Sequence, residues 1–410
     1  MRRVAVALAA LALVPSAAAW TPVGGSVGNT TVPALLVTQI RAVLISYDSP
    51  LAGTISISRN GGAARTLVTG DAAANRTQLV QQPNGAIQLY FPNAQGVARL
   101  TSTDDGQTWT GPIQTQSRTL GPVNGAAVAP DGTPYFAQDG TAFVNVFRGL
   151  NGELSKNVYP RCCGYFESLA VDASGLAEVA FYSNADPDAA TVFEPLGADL
   201  TPGAPTILKP IAEHEAPLVA DRSGDTFVAW AAGYPTAQRL SVVPFRGGAP
   251  AGDGVTFRGP FSGPDPHMAL ALENGDRLWI VWTQGGKVRA ARSRSHGLHF
   301  GATVTASEPG TVYQIAAAGV PDGAGSVLVV LNTGAALVGQ RLQPGLGVRV
   351  FKKQKLWFAQ ALDDGIGVAG ARFHVGGRTV KANGTGTAKV PRGRGTASAQ
   401  GYVSASFRVP

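Results

Sequence analysis

A short turn signature recurs along this chain at a spacing of roughly 40–50 residues, and that regularity restricts the folds open to it more than any other feature does. The turns that align are Pro83-Asn84-Gly85, Pro130-Asp131-Gly132, Ala173-Ser174-Gly175, Arg222-Ser223-Gly224 and Glu273-Asn274-Gly275. Asn, Asp or Ser before Gly is the chemistry of a tight hairpin, because the side chain bonds the local backbone and the glycine accepts a positive φ. Aromatics follow at nearly constant distance: Tyr90 and Phe91, Tyr135 and Phe136, Phe181 and Tyr182, Trp230, then Trp279 and Trp282. Each unit therefore reads as a short apolar strand, a turn, an alternating strand ending in an aromatic, and a second hairpin.

Between about residues 31 and 350 we count seven such units, the period of propeller blades. The fold class expected is all-β, a β-propeller of seven blades, with six blades and a partial unit as the remaining option. The first unit, with Tyr47 after Ala42-Val43-Leu44-Ile45, and the last, with Val327–Leu331 after Asp322-Gly323, depart most from the pattern, as terminal repeats do. Composition agrees: 52 glycines and only 14% charged residues leave no charge-patterned helical window.

One stretch is more specific. Ser102-Thr103-Asp104-Asp105-Gly106-Gln107-Thr108-Trp109 has the form S-x-D-x-G-x-T-W, an acidic side chain and a glycine forming a turn that a tryptophan anchors. Ser102, Asp104, Gly106, Thr108 and Trp109 resemble the Asp-box of the sialidase-type (BNR-repeat) propellers. That resemblance implies a hairpin between the third and fourth strands of a blade, on the face away from the binding site. Degenerate copies fall where the repeat requires them, at Ser58-Arg59-Asn60-Gly61-Gly62 and from Ser293 to Phe300. The sialidases have six blades, whereas the units here number seven.

Two flanking segments have other compositions. Arg2 and Arg3, an apolar run from Val4 to Val14, and Ala17-x-Ala19 have the layout of a secretory signal, so residues 1–19 are expected to be removed and the protein to act outside the cytoplasm, secreted or in the envelope. No later run reaches the roughly 18 apolar residues of a membrane helix. Residues 20–350 then form the propeller and 351–410 a separate module. From Phe351 onward ten Lys and Arg face only Asp363 and Asp364, a charge of +8 against +7 for the whole chain, so the high pI resides in this end. Such a module could meet an acidic wall polymer or anionic glycan, but the reading that charge count favours is a merely solvated basic face. Asp363-Asp364-Gly365, Asn383-Gly384-Thr385-Gly386-Thr387 and Thr396 to Tyr402 alternate small and β-branched residues between glycine turns. They resemble the carboxypeptidase-regulatory-like, transthyretin-type β-sandwich, which implies an accessory role without catalytic residues.

Loops entering the innermost strands of a propeller converge on one mouth of its channel. Superposing the turn glycines brings Thr77, Asn124, Glu167, Ala216 and His267 to one level, and Asn75, Pro122, Tyr165, His214 and Asp265 to another, with Arg161, Glu213 and Glu215 close by. Arg161, Cys162, Cys163, Tyr165, Glu167, His214, Glu215, Asp265 and His267 are the candidate ligand-binding set. The function expected is non-catalytic recognition of an extracellular glycan or cell-wall polymer, sugar faces stacking on aromatics while hydroxyls take the polar groups. The alternatives are a sialidase-like hydrolase or lyase with Glu167 or Asp265 as acid/base, and a structural envelope protein without a small ligand. Sialidase chemistry needs an arginine trio, a Tyr–Glu nucleophile and an acid/base Asp. Tyr165 and Glu167 lie two apart on one strand, and Phe257-Arg258-Gly259-Pro260 matches the sialidase Arg-Ile-Pro motif only loosely.

Cys162 and Cys163 are adjacent and are the chain's only two cysteines. A vicinal disulfide, two free thiols and an intermolecular bridge are the three open states. His214 with Glu213 and Glu215, and His267 with Asp265, lack the closed spacing of a metal motif, so no metal or cofactor is expected. Basic residues without interleaved aromatics argue against nucleic acid. Nothing in the sequence sets the oligomeric state.

Overall fold

The computed structural model describes residues 19–25, 27–49, 52–70, 76–118, 121–140, 143–159, 164–184, 190–208, 215–233, 236–261, 267–273, 276–295, 298–320 and 325–410. The described residues form strands and turns, and no helix is long and apolar enough to cross a membrane.

Seven antiparallel sheets follow one another along the chain. Blade one holds Ala34–Val37, Val43–Ser49, Thr54–Arg59 and Arg65–Thr69; blade two holds Gln78–Gln81, Ile87–Asn93, Gly96–Ser102 and Thr110–Gln114. Blades three and four run Val123–Val128 to Leu154–Tyr159 and Gly164–Val171 to Thr206–Leu208. Blade five starts at Leu218–Ala220, and its outer strand is split into Ala249–Pro250 and Val255–Arg258. Blade six runs Met268–Glu273 to Val304–Ser307. Blade seven has three strands of its own, Gln314–Val320, Ser326–Asn332 and Leu337–Leu342, and takes its fourth from the N-terminal Thr21–Gly24. The innermost strands touch their neighbours all the way round, so the ring is closed and the count is seven.

Four of the aligned turns join the first and second strands of blades two to five; Asn274 and Gly275 of the fifth lie outside the described residues. Gly85, Gly132, Gly175 and Gly224 have φ of 88°, 89°, 88° and 87°, so four turns repeat one conformation. Each is a three-residue loop closed by an amide-to-carbonyl bond, such as Gln82 to Ala86 at 2.8 Å and Asp221 to Asp225 at 2.7 Å, with glycine in the left-handed position. Asp172 Oδ1 and Asp221 Oδ1 each accept the amide and hydroxyl of the serine two residues on and a further amide two residues later.

The second strands correct the expected alternation. Ile87–Asn93, Ala177–Ser183 and Asp225–Ala232 are buried at every position. Blades pack on both faces, so a period of two here separates two cores rather than core from water. Leu89 and Phe91 join the gap with blade one, while Tyr90 between them stacks on Phe136 of blade three at 4.8 Å. Phe227, Ala229 and Ala231 face blade six, and Val228 and Trp230 face blade four. One apolar cluster fills each of the seven gaps between blades.

Octet Ser102–Trp109 connects the third and fourth strands of blade two. Asp104 Oδ1 accepts the Thr108 amide at 2.8 Å and Oδ2 the Thr108 hydroxyl at 2.6 Å, while Ser102 Oγ accepts the Gly106 amide at 2.8 Å. The Thr108 hydroxyl and amide hold the Asp104 carboxyl down at about 2. Trp109 donates to the Gly106 carbonyl at 3.2 Å and lies against the core between blades one and two. Arg59, next to the degenerate Asn60 copy, donates to Asp105 Oδ2 at 3.0 Å and so ties the two blades together.

After Leu342 the chain leaves the ring and builds a β-sandwich from Gly347 onward. One sheet contains Gly347–Lys353, Leu356–Asp363, Ile366–Gly367 and Thr387–Lys389; the other contains Arg378–Lys381, Arg372–Val375, Gly393–Ser398 and Ala405–Val409. Ala359, Ala361, Phe373, Val375, Ala397 and Val409 fill the space between them. The sandwich is docked on blade six: Asp363 accepts both arms of Arg277, at 2.8 and 2.9 Å, and Arg292 at 2.5 Å.

Two substitutions test this architecture. Asn332, fully buried in blade seven, donates to the Gly28 and Thr31 carbonyls at 2.9 and 2.7 Å and accepts the Gly334 amide at 2.7 Å. Asn332→Ala strands the buried Thr31 carbonyl and the half-buried Gly28 carbonyl and Gly334 amide, and should lower stability by about 2–3 kcal/mol, read as a drop in Tm. A Cβ at Gly125 would lie 2.6 Å from the Leu169 amide nitrogen, so Gly125→Ala should separate the inner strands of blades three and four and destabilise the protein by about 1–3 kcal/mol. An unchanged Tm in either variant would contradict the ring packing described.

Candidate functional site

Strands one and three of each blade start at one end of the ring and finish at the other. The Asp104 turn follows a third strand and the repeated glycine turns follow first strands, so both lie at the finishing end. Residues entering the first strands gather at the opposite end, around the channel mouth.

There a polar network spans the channel. Arg76 sits just before the first strand of blade two, bridged to Val32 of blade one. Its Nη1 donates to Asn124 Oδ1 of blade three at 3.0 Å, and its Nη2 makes an ion pair with Glu215 at the entry to blade five. Asn124 in turn donates through Nδ2 to Glu167 Oε2 of blade four. Gln78 donates to the Val123 and Asn124 carbonyls at 3.3 and 3.0 Å, and the Ser46 and Thr77 hydroxyls pair at 2.8 Å. Blades two, three, four and five are thereby joined through side chains, and Arg76 reaches from one side of the ring towards the other.

The expected level of Thr77, Asn124, Glu167, Ala216 and His267 is thus partly assembled by direct bonds. Asn124 and Glu167 touch; Thr77 bonds Ser46, and Ala216 is fully buried in the gap between blades four and five. Glu167 has no solvent exposure. Tyr165 is half-buried and stacks on Tyr182 with ring centroids 6.4 Å apart. His267 is half-buried, and its carbonyl accepts the Thr283 amide at 3.0 Å. Glu215, a neighbour of the expected level, supplies the anion for Arg76. Arg161, Cys162, Cys163, His214 and Asp265 lie outside the described residues, as do Asn75 and Glu213.

Sequence reasoning missed Arg76, although it flanks Thr77. The signal was available: a cation at the threshold of an inner strand must find an anion or water, and the candidate carboxylates were on other blades. Among the described residues no group of three or more His, Cys, Asp or Glu is placed to hold a metal ion.

Arrangement and burial define what the network can do. The Arg76 side chain is 8% exposed and that of Glu215 28%, so the pair is shielded on one side and wet on the other. A guanidinium fork holding an amide and a carboxylate together is rigid and directional. It offers hydroxyl-bearing ligands fixed donors and acceptors, and the Glu215 side remains open to an incoming polar group.

Close to the mouth, Asp48 is the last residue but one of the second strand of blade one. Its carbonyl accepts the Thr31 hydroxyl at 3.2 Å, and its carboxylate is wholly buried. Burial pushes the Asp48 carboxyl up to about 7, against smaller lowering by its own backbone and by Thr31. Glu178 and Glu194 of blade four are likewise raised to about 7 by burial.

Neither a family model nor a curated protein matches the chain. Solved structures do match. A virginiamycin B lyase from Staphylococcus aureus aligns over 79% of this chain and 98% of its own at 13% identity, with a TM-score of 0.50. A streptogramin B lyase aligns over 78% and 96% at 11% identity, with a TM-score of 0.52. A fungal alcohol oxidase of the AA5 family, solved in complex with copper, aligns over 95% and 99% at 12% identity, with a TM-score of 0.51. At such identities the likeness is one of fold, the β-propeller, and it does not single out the Asp-box type.

An acid whose pKa is raised by folding is neutral in the native state and ionised when unfolded. Stability is therefore full below the unfolded value near 4 and falls as pH climbs towards the folded value near 7. The Tm of the protein should accordingly decrease between pH 5 and pH 8. Asp48→Asn, which cannot ionise, should flatten part of that slope and raise Tm at pH 8 by roughly 2–4 °C. A slope identical to that of the unsubstituted protein would show that Asp48 does not contribute.

Proposed function

We propose that this chain is a secreted, non-catalytic recognition protein, and that the channel mouth of its propeller binds a carbohydrate or another envelope polymer. The single observation that carries this reading is the Arg76–Asn124–Glu167 chain with its Arg76–Glu215 ion pair. Carboxylates that catalyse glycoside cleavage work in pairs across a gap that admits the scissile bond or a water. Glu167 is instead fully buried and committed to Asn124, and Glu215 is committed to Arg76. With both described carboxylates committed, and Asp265 outside the described residues, these fixed donors and acceptors suit binding better than turnover.

Secretion rests on the N-terminal charge and apolar pattern, and kinship with the Asp-box propellers rests on Ser102–Trp109 and its bonding. Both belong to the proposal. In this reading Tyr165 and His267 belong to the binding set with the Arg76 network, as do Arg161, Cys162, Cys163, His214 and Asp265, which lie outside the described residues.

A glycan array probed with the full chain should give defined hits, and a panel of fluorogenic glycosides should show no turnover. Arg76→Met should weaken the hits about tenfold or more while a Tm drop of a few degrees reports the lost pair. Arg76→Lys should recover little of the binding, since an ammonium cannot hold Asn124 and Glu215 in one plane. Turnover abolished by Glu167→Gln would overturn the binding reading in favour of a hydrolase or lyase. Absence of both hits and turnover would favour a structural role.

A further inference from the structure

The C-terminal sandwich holds a second surface, independent of the channel mouth. Its ten Lys and Arg from Phe351 onward are matched by two carboxylates, and both of these face blade six. Asp363 is taken up by Arg277 and Arg292, and Asp364 Oδ2 lies 3.1 Å from Arg294 Nε. Docking therefore removes every acidic side chain of the module from its outer face.

That outer face belongs to the sheet of Arg378–Lys381, Arg372–Val375, Gly393–Ser398 and Ala405–Val409. Phe373, Val375, Ala397 and Val409 point into the core, so the period of two turns Arg372, Lys381, Arg394 and Arg408 outward, each of them exposed. The register places Arg372 opposite Lys381 and Arg394 opposite Arg408. Like charges facing each other across neighbouring strands, about 4.8 Å apart, oppose folding unless an anion sits between them. Thr396 pairs with Ser406 on the same face, and His374 Nδ1 lies 3.1 Å from Thr379 Oγ1. His374, Arg394, Thr396, Ser406 and Arg408 line one shallow depression.

We propose that this face binds an acidic polysaccharide, a linear polymer whose carboxylates are gripped by the paired guanidiniums while its hydroxyls bond Thr396 and Ser406. Charge complementarity selects a polyanion, and bidentate arginine suits carboxylate. Phe407 also borders the depression, but it is half-buried and meets core Phe373 edge-on, so it is a poor platform for stacked bases. The polymer would lie along the sheet, with the two arginine–cation pairs as successive grips.

Isothermal titration of the full chain with polygalacturonate, neutral dextran and duplex DNA at two salt concentrations tests the proposal. Polygalacturonate should bind and weaken as salt rises; dextran should not bind. The double variant R394S/R408S should lose at least tenfold in affinity with an equal or higher Tm, because a repulsive pair has been removed. Lys156→Ser, which removes a partly exposed cation of blade three outside both surfaces, should leave polygalacturonate affinity unchanged, which separates this face from the positive charge of the chain as a whole. No binding to polygalacturonate, equal binding to dextran, tighter binding to DNA at the same salt, or full affinity in R394S/R408S would each overturn it.

Discussion

Ring closure is the constraint on which the rest of this molecule depends. Six blades are built from consecutive chain, but the seventh is completed by Thr21–Gly24 pairing with Leu337–Leu342, more than three hundred residues away. Without that strand the last blade has an open edge, and the gap between blades seven and one loses the packing of Val23 against Val330 and Leu337. Loop-closure entropy grows only slowly with length, so one short strand is sufficient when side chains reinforce it. Asn332 does so from within blade seven, and Trp20 adds a 2.6 Å bond to the Ser307 carbonyl of blade six. Once the ring is closed, each blade is buried on two faces. That is why the second strands of blades two, four and five are buried at every position, and why the entry residues of different blades meet at one mouth.

Charges follow the same geometry. Where blades meet the sandwich, Glu273, Arg292, Asp363, Arg277 and Tyr402 form one connected set. Burial raises the Asp363 carboxyl, but the Arg277 bonds and the Arg292 and Arg277 charges outweigh it and hold it below its ordinary value. Burial dominates at Glu273 instead, and raises it despite Arg292. The same two guanidiniums reach both acids, which diverge with how closely they are bonded: 2.8 and 2.5 Å at Asp363 against 3.7 and 3.3 Å at Glu273. The sandwich is fastened by charge pairs at the rim of blade six, and its outer sheet is left wholly basic as a result. At the mouth, Arg76 has the corresponding part: one guanidinium satisfies groups contributed by two other blades.

Much of this was legible in the chain, for reasons that differ by residue. Asn84 and Asp131 announce their turns because each side chain accepts the amide two residues on, and Ser174 and Ser223 because amide and hydroxyl both donate to the aspartate two residues before; these local interactions need no tertiary partner. The clasp bonds of Ser102–Trp109 are equally local, closing within eight residues, while Asp105 reaches out to Arg59. Register of the repeat then places Asn124 and Glu167 at one level. Arg76 was hidden because its partners, Asn124 and Glu215, are 48 and 139 residues distant. The expected alternation in the second strands failed because the sequence cannot say how many faces of a strand are covered.

By itself the sequence determined the blade period, the turn conformations, the position of the Asp104 clasp and the basic character of the last sixty residues. All of these arise from neighbours in the chain or from simple charge count. Only the tertiary structure decided that seven blades close through the N-terminal strand, that Asp363 and Asp364 turn inward to Arg277, Arg292 and Arg294, and that Arg76 bridges the channel mouth. Those are encounters between residues tens to hundreds of positions apart, and they exist only once the circle of blades has fixed which ends of which strands meet.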